Sequence, residues 1–423
     1  MASSKGCLTC RARRKKCDKV KPKCVACDRN VLICVYPDDS HLGAEMSNFT
    51  ARAYSEMSNL VKSQRTDSIH RSIPLLPLKR TESSPDGVTL SGVHYGEQKS
   101  TLHAVATYEH CAQALRSLKH GLTRFASGQT DLALELLITT LLFCLAESIR
   151  GDRDGNSFHH LRAARQLFPA VVRDTARSTS DPETALFVME LYAYILTVSS
   201  SSLAVDENYS LVRDSELVFA AIEAMNKPVT GMLFGCAYEL FGLIPSAARV
   251  PGKGNLSDKL NATETDLLQG TSKRCELRSR VQSWVPGPVS GRDPVIAGKL
   301  YQFALLLLLE DYQVSFSSYN TEAESNNFVS NFIYLLRSLP VDSDVATTLC
   351  WPIAVAGSYA HEPEHRRFIR QYLLSMEARY QFGNIIQVLG LLDSLWDRSH
   401  DTCSHPGDLI TAMKSKGIFV MLV

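Results

Sequence analysis

Long apolar runs are missing from this chain of 423 residues. Its longest, Leu136 to Ala146 and Phe303 to Leu309, are too short to cross a bilayer and predict buried core helices. A secretory leader is not expected, because Met1 to Gly6 is short and polar and cysteines follow at once. Strand-like alternation between hairpin turns is nearly absent, apart from the tail "IFVMLV", which argues against a β-rich fold. A cysteine framework is also lacking in most of the chain. Cys111, Cys144, Cys236, Cys275, Cys350 and Cys403 are scattered singly, a usage that points to a reducing compartment rather than a disulfide scaffold. A large net charge is missing too: the total is +1.

That average conceals a division. Residues 1–34 hold ten Lys/Arg against Asp18 and Asp28, whereas the remainder holds 35 basic and 42 acidic residues. A basic head on a mildly acidic body predicts one module built for a polyanion and one that is not.

The head also holds the other six cysteines. "CLTCRARRKKCDKVKPKCVACDRNVLIC", from Cys7 to Cys34, repeats C-x2-C-x6-C twice with an offset of 17 residues. Cys7, Cys10 and Cys17 form one half; Cys24, Cys27 and Cys34 form the other. Thiolates at this spacing clasp a metal ion, and zinc is the usual guest of all-cysteine tetrahedral sites. Six thiolates fall short of two independent sites, so two zinc ions sharing two thiolates is the economical solution, with equivalent cysteines of the halves the natural pair to share. A redox pair or disulfides are the rival readings of C-x2-C. Two copies, each with a third cysteine at equal distance, weigh against them.

The halves have unequal surfaces. The first x6 segment, Arg11, Ala12, Arg13, Arg14, Lys15 and Lys16, carries five positive charges, whereas the second ends in Val31, Leu32 and Ile33. As a short helix the first would present a cationic face, its arginines able to reach guanine edges and its lysines able to neutralise phosphates. Lys19, Lys21 and Lys23 extend the basic track between the halves. The bland alternative, a solvated face or nuclear-import signal, fits a metal-stapled basic knob less well than contact with double-stranded DNA.

Residues 7–34 resemble the six-cysteine, two-zinc binuclear cluster of fungal transcription factors in spacing, basic first helix and the "KPKC" loop from Lys21 to Cys24. The resemblance implies that Cys7 and Cys24 bridge two zinc ions, with Cys10 and Cys17 completing one and Cys27 and Cys34 the other. It places Pro22 on a loop proline that sets how the halves pack. It places Arg13 and Arg14 among base-reading residues that face a CGG-type triplet, where the family often has lysine at the second position. It further implies a nuclear regulator of RNA polymerase II-type transcription that meets the transcription machinery. Compact members often control metabolic or biosynthetic gene clusters, and many dimerise.

Residues 41–100 read as a linker, from Pro74, Pro77, Pro85 and the polar "RTESSPDG". Within it Leu42, Met46, Phe49, Ala53, Met57 and Leu60 recur at three- and four-residue steps. That makes only a short dimerisation helix, interrupted by Gly43. From Thr101 apolar residues recur at helical spacing. Helices are predicted within 103–122 and 132–149, and then at 158–172, 183–199, 209–226, 231–248, 294–314, 326–338, 344–360, 364–382 and 384–397. The expected fold is therefore mainly α: a cluster domain over 1–40, a linker over 41–100 and an all-helical body over 101–423. "GDRDGNSFHHLRAARQLF" and "LCWPIAVAGSYA" resemble blocks of the helical regulatory domain that accompanies the cluster.

Several body motifs suggest other chemistry. His361-Glu362-Pro363-Glu364-His365 fits H-E-x-x-H of zinc proteases. That chemistry needs both histidines one turn apart on a helix, and Pro363 is expected to open a helix rather than lie within one. Asp152 to Asn156 imitates a calcium loop with its glycine too early, His159 and His160 read as helix-start or surface residues, and "PGKGN" lacks the ending of a phosphate loop. A DNA-binding regulator accounts for cluster, charge division, linker and body together. A zinc-scaffolded interaction factor would leave the basic segment idle, and an enzyme would rest on the protease-like motif alone.

Overall fold

The computed structural model describes residues 16–20, 24–25, 101–176, 182–202, 205–224, 233–249, 264–287, 291–310, 318–398, 409–416 and 420–423. The linker and its expected short dimerisation helix lie outside these residues.

Helices form the body, and among the described residues there is no strand. In chain order they are α1 Thr101–Ala126, α2 Ala133–Ile149, α3 Asn156–Ala176, α4 Pro182–Ser199, α5 Val205–Ala224, α6 Tyr238–Arg249 and α7 Glu264–Ser283. There follow α8 Arg292–Leu308, α9 Ser318–Arg337, α10 Cys350–Ser358, α11 Pro363–Tyr380, α12 Gly383–Arg398 and α13 Leu409–Lys416. Short 3-10 turns occur at Ser200–Ser202 and Ala346–Thr348. None is long and apolar enough to cross a membrane among the described residues.

Neighbours in sequence pack as neighbours in space, α2 on α3, α8 on α9, α11 on α12, as short connections between antiparallel helices favour. The ends of the body also meet, because α12 packs on α2. That closure needs two glycines. A Cβ on Gly383 would lie 2.7 Å from the Gly151 nitrogen, and Gly151 itself has φ of +76°, a conformation glycine adopts without steric cost. Gln387 on α12 completes the join by donating from Nε2 to the Gly151 carbonyl.

An aromatic chain runs through the centre. Phe234 packs on Phe241 with ring centres 4.6 Å apart, Phe241 on Tyr301 at 4.5 Å, and Tyr301 lies parallel to Trp351 at 5.6 Å. Each of these rings except Phe234 comes from a different helix, α6, α8 and α10, so the chain ties separate elements into one apolar core. The Tyr301 hydroxyl donates to the Thr348 carbonyl, which satisfies the one polar atom this buried ring brings in.

Most expected helices are present with shifted ends, and the departures have physical reasons. The segment expected at 231–248 begins only at Tyr238, after turns that place Phe234 in the core. Glu190 fixes those turns, accepting from the backbone nitrogens of Leu233 at 2.8 Å and Phe234 at 2.9 Å. The segment expected at 344–360 divides into the 3-10 turn and α10. Pro352 falls in the first turn of α10, where its missing N–H costs nothing. Two helices were not expected from sequence, α7 and α13. Charge-rich α7 buries only Leu277 and Val281 among its described side chains. It is held instead by Arg278, which pairs with Glu310 and Glu324, and by Gln302, whose Nε2 donates to the Val281 carbonyl at 2.8 Å. The described part of the strand-like tail forms no strand: Val420 to Leu422 is buried irregular chain. Asn384 donates to the Val423 carbonyl at 2.6 Å, and the Ser148 hydroxyl donates to that of Met421.

Candidate metal centre

In the head, the chain reverses between two cysteines. Cys17, Asp18 and Cys24 bring a thiol, a carboxylate oxygen and a second thiol within 4.8 Å of one another. Zinc–sulfur bonds of about 2.3 Å in a tetrahedral site place neighbouring sulfurs about 4 Å apart. The pair therefore has the spacing and the soft donors that one zinc ion requires. Cys24 is fully buried and Cys17 partly so, and a thiolate at a buried position is tolerable only with a cation to balance it.

The reversal has a visible cause. Asp18 Oδ1 accepts from the Val20 nitrogen at 3.2 Å, and Oδ2 accepts from the Val25 nitrogen at 2.9 Å. Between them Lys19 takes φ of 64°, a left-handed conformation that is costly for a residue with a Cβ. Lys16 and Lys19 are exposed. Of the expected ligands, Cys17 and Cys24 are thus brought together. Cys7, Cys10, Cys27 and Cys34 lie outside the described residues, as do Arg11, Arg13, Arg14, Lys15, Lys21 and Lys23. Sequence reasoning missed Asp18, counting it only as a negative charge; its position directly after a ligand cysteine was the available signal.

The competing motifs at 152–156 and 361–365 are structural, and "PGKGN" lies outside the described residues. His361 precedes α11, Glu362 is its N-cap and Pro363 its first residue, so the two histidines do not share a helical face. His365 lies 3.5 Å from the Glu362 carboxylate. Asp152 is already engaged by protein donors: its Oδ2 accepts from the Ser157 nitrogen at 2.7 Å and hydroxyl at 2.8 Å, and its Oδ1 from the Asp154 nitrogen at 3.0 Å. His159 and His160 lie in the opening turns of α3, as expected of helix-start residues; His159 is exposed, whereas His160 is partly buried. It stacks on Phe143 at 5.5 Å, and burial lowers its pKa to about 4. Cys144 and Cys350 are apolar filling in the body. Burial pushes the Cys350 thiol up to about 12 and raises Cys144 further, the opposite of what a ligand or nucleophile needs.

A pair of thiols at metal spacing on a basic segment, with a large helical body on the same chain, makes a metal-binding head joined to a helical module. Comparison with known families agrees. Residues 88–422 match the fungal specific transcription factor domain, and residues 5–42 match the fungal Zn(2)-Cys(6) binuclear cluster domain. The chain belongs to the fungal-specific transcription factor family, with a zinc-binding cluster at its head. It is also similar to an uncharacterized transcriptional regulatory protein of Schizosaccharomyces pombe, 32% identical over 59 residues. That match covers 14% of this chain and 8% of the relative. No solved structure matches the chain.

Proposed function

We propose that this transcription regulator binds double-stranded DNA sequence-specifically through residues 1–40, reading a CGG-like triplet in the nucleus for RNA polymerase II-type transcription. The observation that carries the reading is the Cys17–Cys24 thiol pair, closed to within 4.8 Å inside a segment of ten basic residues against two acidic. Two zinc ions are held by Cys7, Cys10, Cys17, Cys24, Cys27 and Cys34, with Cys7 and Cys24 shared. Bound zinc supplies no redox chemistry; it fixes the fold of a segment too small to bury a core of its own.

Arg13 and Arg14 then face base edges in the major groove, flanked by Arg11, Lys15 and Lys16. Lys19, Lys21 and Lys23 hold phosphates. The linker 41–100 separates this reader from the body 101–423, which controls activity and contacts the transcription machinery. A homodimer through residues 42–60 would set the spacing of two half-sites. A name that speaks of transcriptional regulation in the fission-yeast relative supports the same assignment.

The test is a titration of full-length protein on a duplex selected from a random pool and on a scrambled duplex, at several salt concentrations. Arg14→Ala should cost about 1–3 kcal/mol on the selected site and far less on the scrambled one. Lys21→Ala should weaken both and reduce the salt slope by about one. Equal losses on both duplexes for Arg14→Ala would reduce the segment to a phosphate clamp. Failure of the wild type to bind either would leave a zinc-scaffolded protein-interaction factor.

A further inference from the structure

Asp18 is the residue that the cluster's geometry singles out and that no motif reading assigns. It follows one thiol directly, and its carboxylate grips the nitrogen of Val25, the residue directly after the other thiol, at 2.9 Å. Cys17, Asp18, Val25 and Cys24 therefore form a closed loop: two covalent neighbours at each end and a charge-assisted hydrogen bond between them. The other oxygen accepts from Val20 at 3.2 Å, an Asx-type turn that starts the reversal immediately after Cys17. Lys19 bears the conformational cost of that turn, with its φ of 64°.

Two roles for this carboxylate are chemically possible. Its oxygen stands within 4.8 Å of both thiols, so it could be a metal ligand, as carboxylates are at other zinc sites. Its hydrogen bonding argues otherwise. Each oxygen is directed at a backbone N–H, and a zinc–oxygen bond of about 2.0–2.2 Å would have to draw one away and leave that donor unpaired. Six cysteines also satisfy two ions without a carboxylate.

We propose that Asp18 is a positioning residue: a strap between the half-clusters that sets the Cys17–Cys24 spacing and raises zinc affinity without ligating the metal. The inference rests on the zinc-cluster reading above. Loop closure held by the protein is a cost the metal does not have to meet on binding. Because Cys17 belongs to one half and Cys24 to the other, loss of the strap weakens the cluster as a unit.

The experiment uses full-length protein, with Asp18→Ala and Asp18→Asn beside the wild type. Zinc affinity is measured by competition with a chromophoric chelator, bound zinc by elemental analysis, and ligand identity from the cobalt(II)-substituted spectrum. Removing such a supporting partner typically costs 10–100-fold in metal affinity. Asp18→Ala should therefore bind zinc at least about 10-fold more weakly, with the wild-type metal count at saturation and unchanged thiolate–cobalt bands. Asp18→Asn keeps one acceptor oxygen for Val25 and should recover part of the loss. If Asp18→Ala matched the wild type, the strap would be idle. If both variants lost an ion or shifted the cobalt bands equally, Asp18 would be a ligand, and the proposal would be overturned. Should Asp18→Ala hold no metal at all, the asparagine variant decides: intermediate affinity supports the strap, and equal failure rejects it. A wild type without zinc would instead overturn the cluster reading itself.

Discussion

Cysteine serves two opposite purposes in this chain, and the contrast separates its two regions. In the head, Cys17 and Cys24 are held close with a carboxylate beside them, an arrangement that would be repulsive if the thiols ionised without a cation. In the body, Cys144 and Cys350 are fully buried among apolar side chains, where burial raises their pKa and keeps them neutral. Burial alone therefore does not tell a ligand from a filler; Cys24 is as buried as Cys350. What differs is the company, and with it the source of stability. The head relies on metal coordination, the body on the exclusion of water from an aromatic and aliphatic core.

The largest effect should come from taking the metal away. Structural zinc supplies roughly 10–16 kcal/mol in small zinc-binding peptides at neutral pH. A strong chelator should therefore abolish DNA binding while the body's helical circular dichroism persists. Elemental analysis should find two zinc ions per chain before chelation. Cys7→Ser and Cys24→Ser should disturb both ions, whereas Cys10→Ser should mainly disturb one. Collapse of body helicity on chelation would break the separation.

A core truncation tests the same division from the other side. Trp351 is fully buried and lies parallel to Tyr301 at 5.6 Å. Trp351→Ala should destabilise the body by about 3–5 kcal/mol, seen as a fall in its thermal midpoint, with zinc content unchanged.

These regions were not equally legible in the sequence. Metal-ligand spacing is local, so both cysteine triplets could be read as metal ligands from their positions, whereas the sharing of one ion by Cys17 and Cys24 was implied only by the family resemblance. The mainly helical body followed from apolar periodicity, because α2, α4 and α12 carry that signal within single turns. Charge-rich α7 was missed, since Arg278 finds Glu310 and Glu324 only after the chain has folded. Asp18 was missed for a related reason: its place directly after Cys17 is a local signal, but the bond to Val25 that gives it a role spans seven residues. The helix-start position of His160 was legible, but its stacking on Phe143 was not, because that partner lies on the preceding helix.

That histidine gives a smaller, pH-dependent test confined to the body. Burial is the main cause of its pKa of about 4, with the charge of His159 adding and that of Asp152 opposing. An unfolded histidine titrates near 6.5. Below that value the unfolded chain takes up a proton that the native state refuses, so stability is lost as pH falls from about 6.5 to about 4. The contribution is on the order of 3 kcal/mol. Glu147, raised by burial, acts in the opposite sense, so the comparison must be between variants. His160→Phe should keep the contact with Phe143 and flatten this part of the body's stability profile. An unchanged slope would place the acid sensitivity elsewhere.

The smallest expected effect tests the opening contrast most directly. Cys350→Ala removes one buried heavy atom from the start of α10. By comparison with other single-group deletions in cores, it should cost about 1 kcal/mol, with no change in zinc content or DNA affinity. Cys24→Ala removes the same atom from an equally buried site and should abolish the cluster's metal binding. Thiol labelling in the native, zinc-loaded protein should follow the same division. Cys275 is exposed and should react quickly, whereas Cys144 and Cys350 should react only after the body unfolds. Chelation should then release the head's thiols to the reagent while those two remain protected. If Cys350→Ala lowered zinc affinity, or if chelation exposed Cys144 and Cys350, the regions would be energetically coupled. The body would then sense the state of the cluster rather than merely share a chain with it.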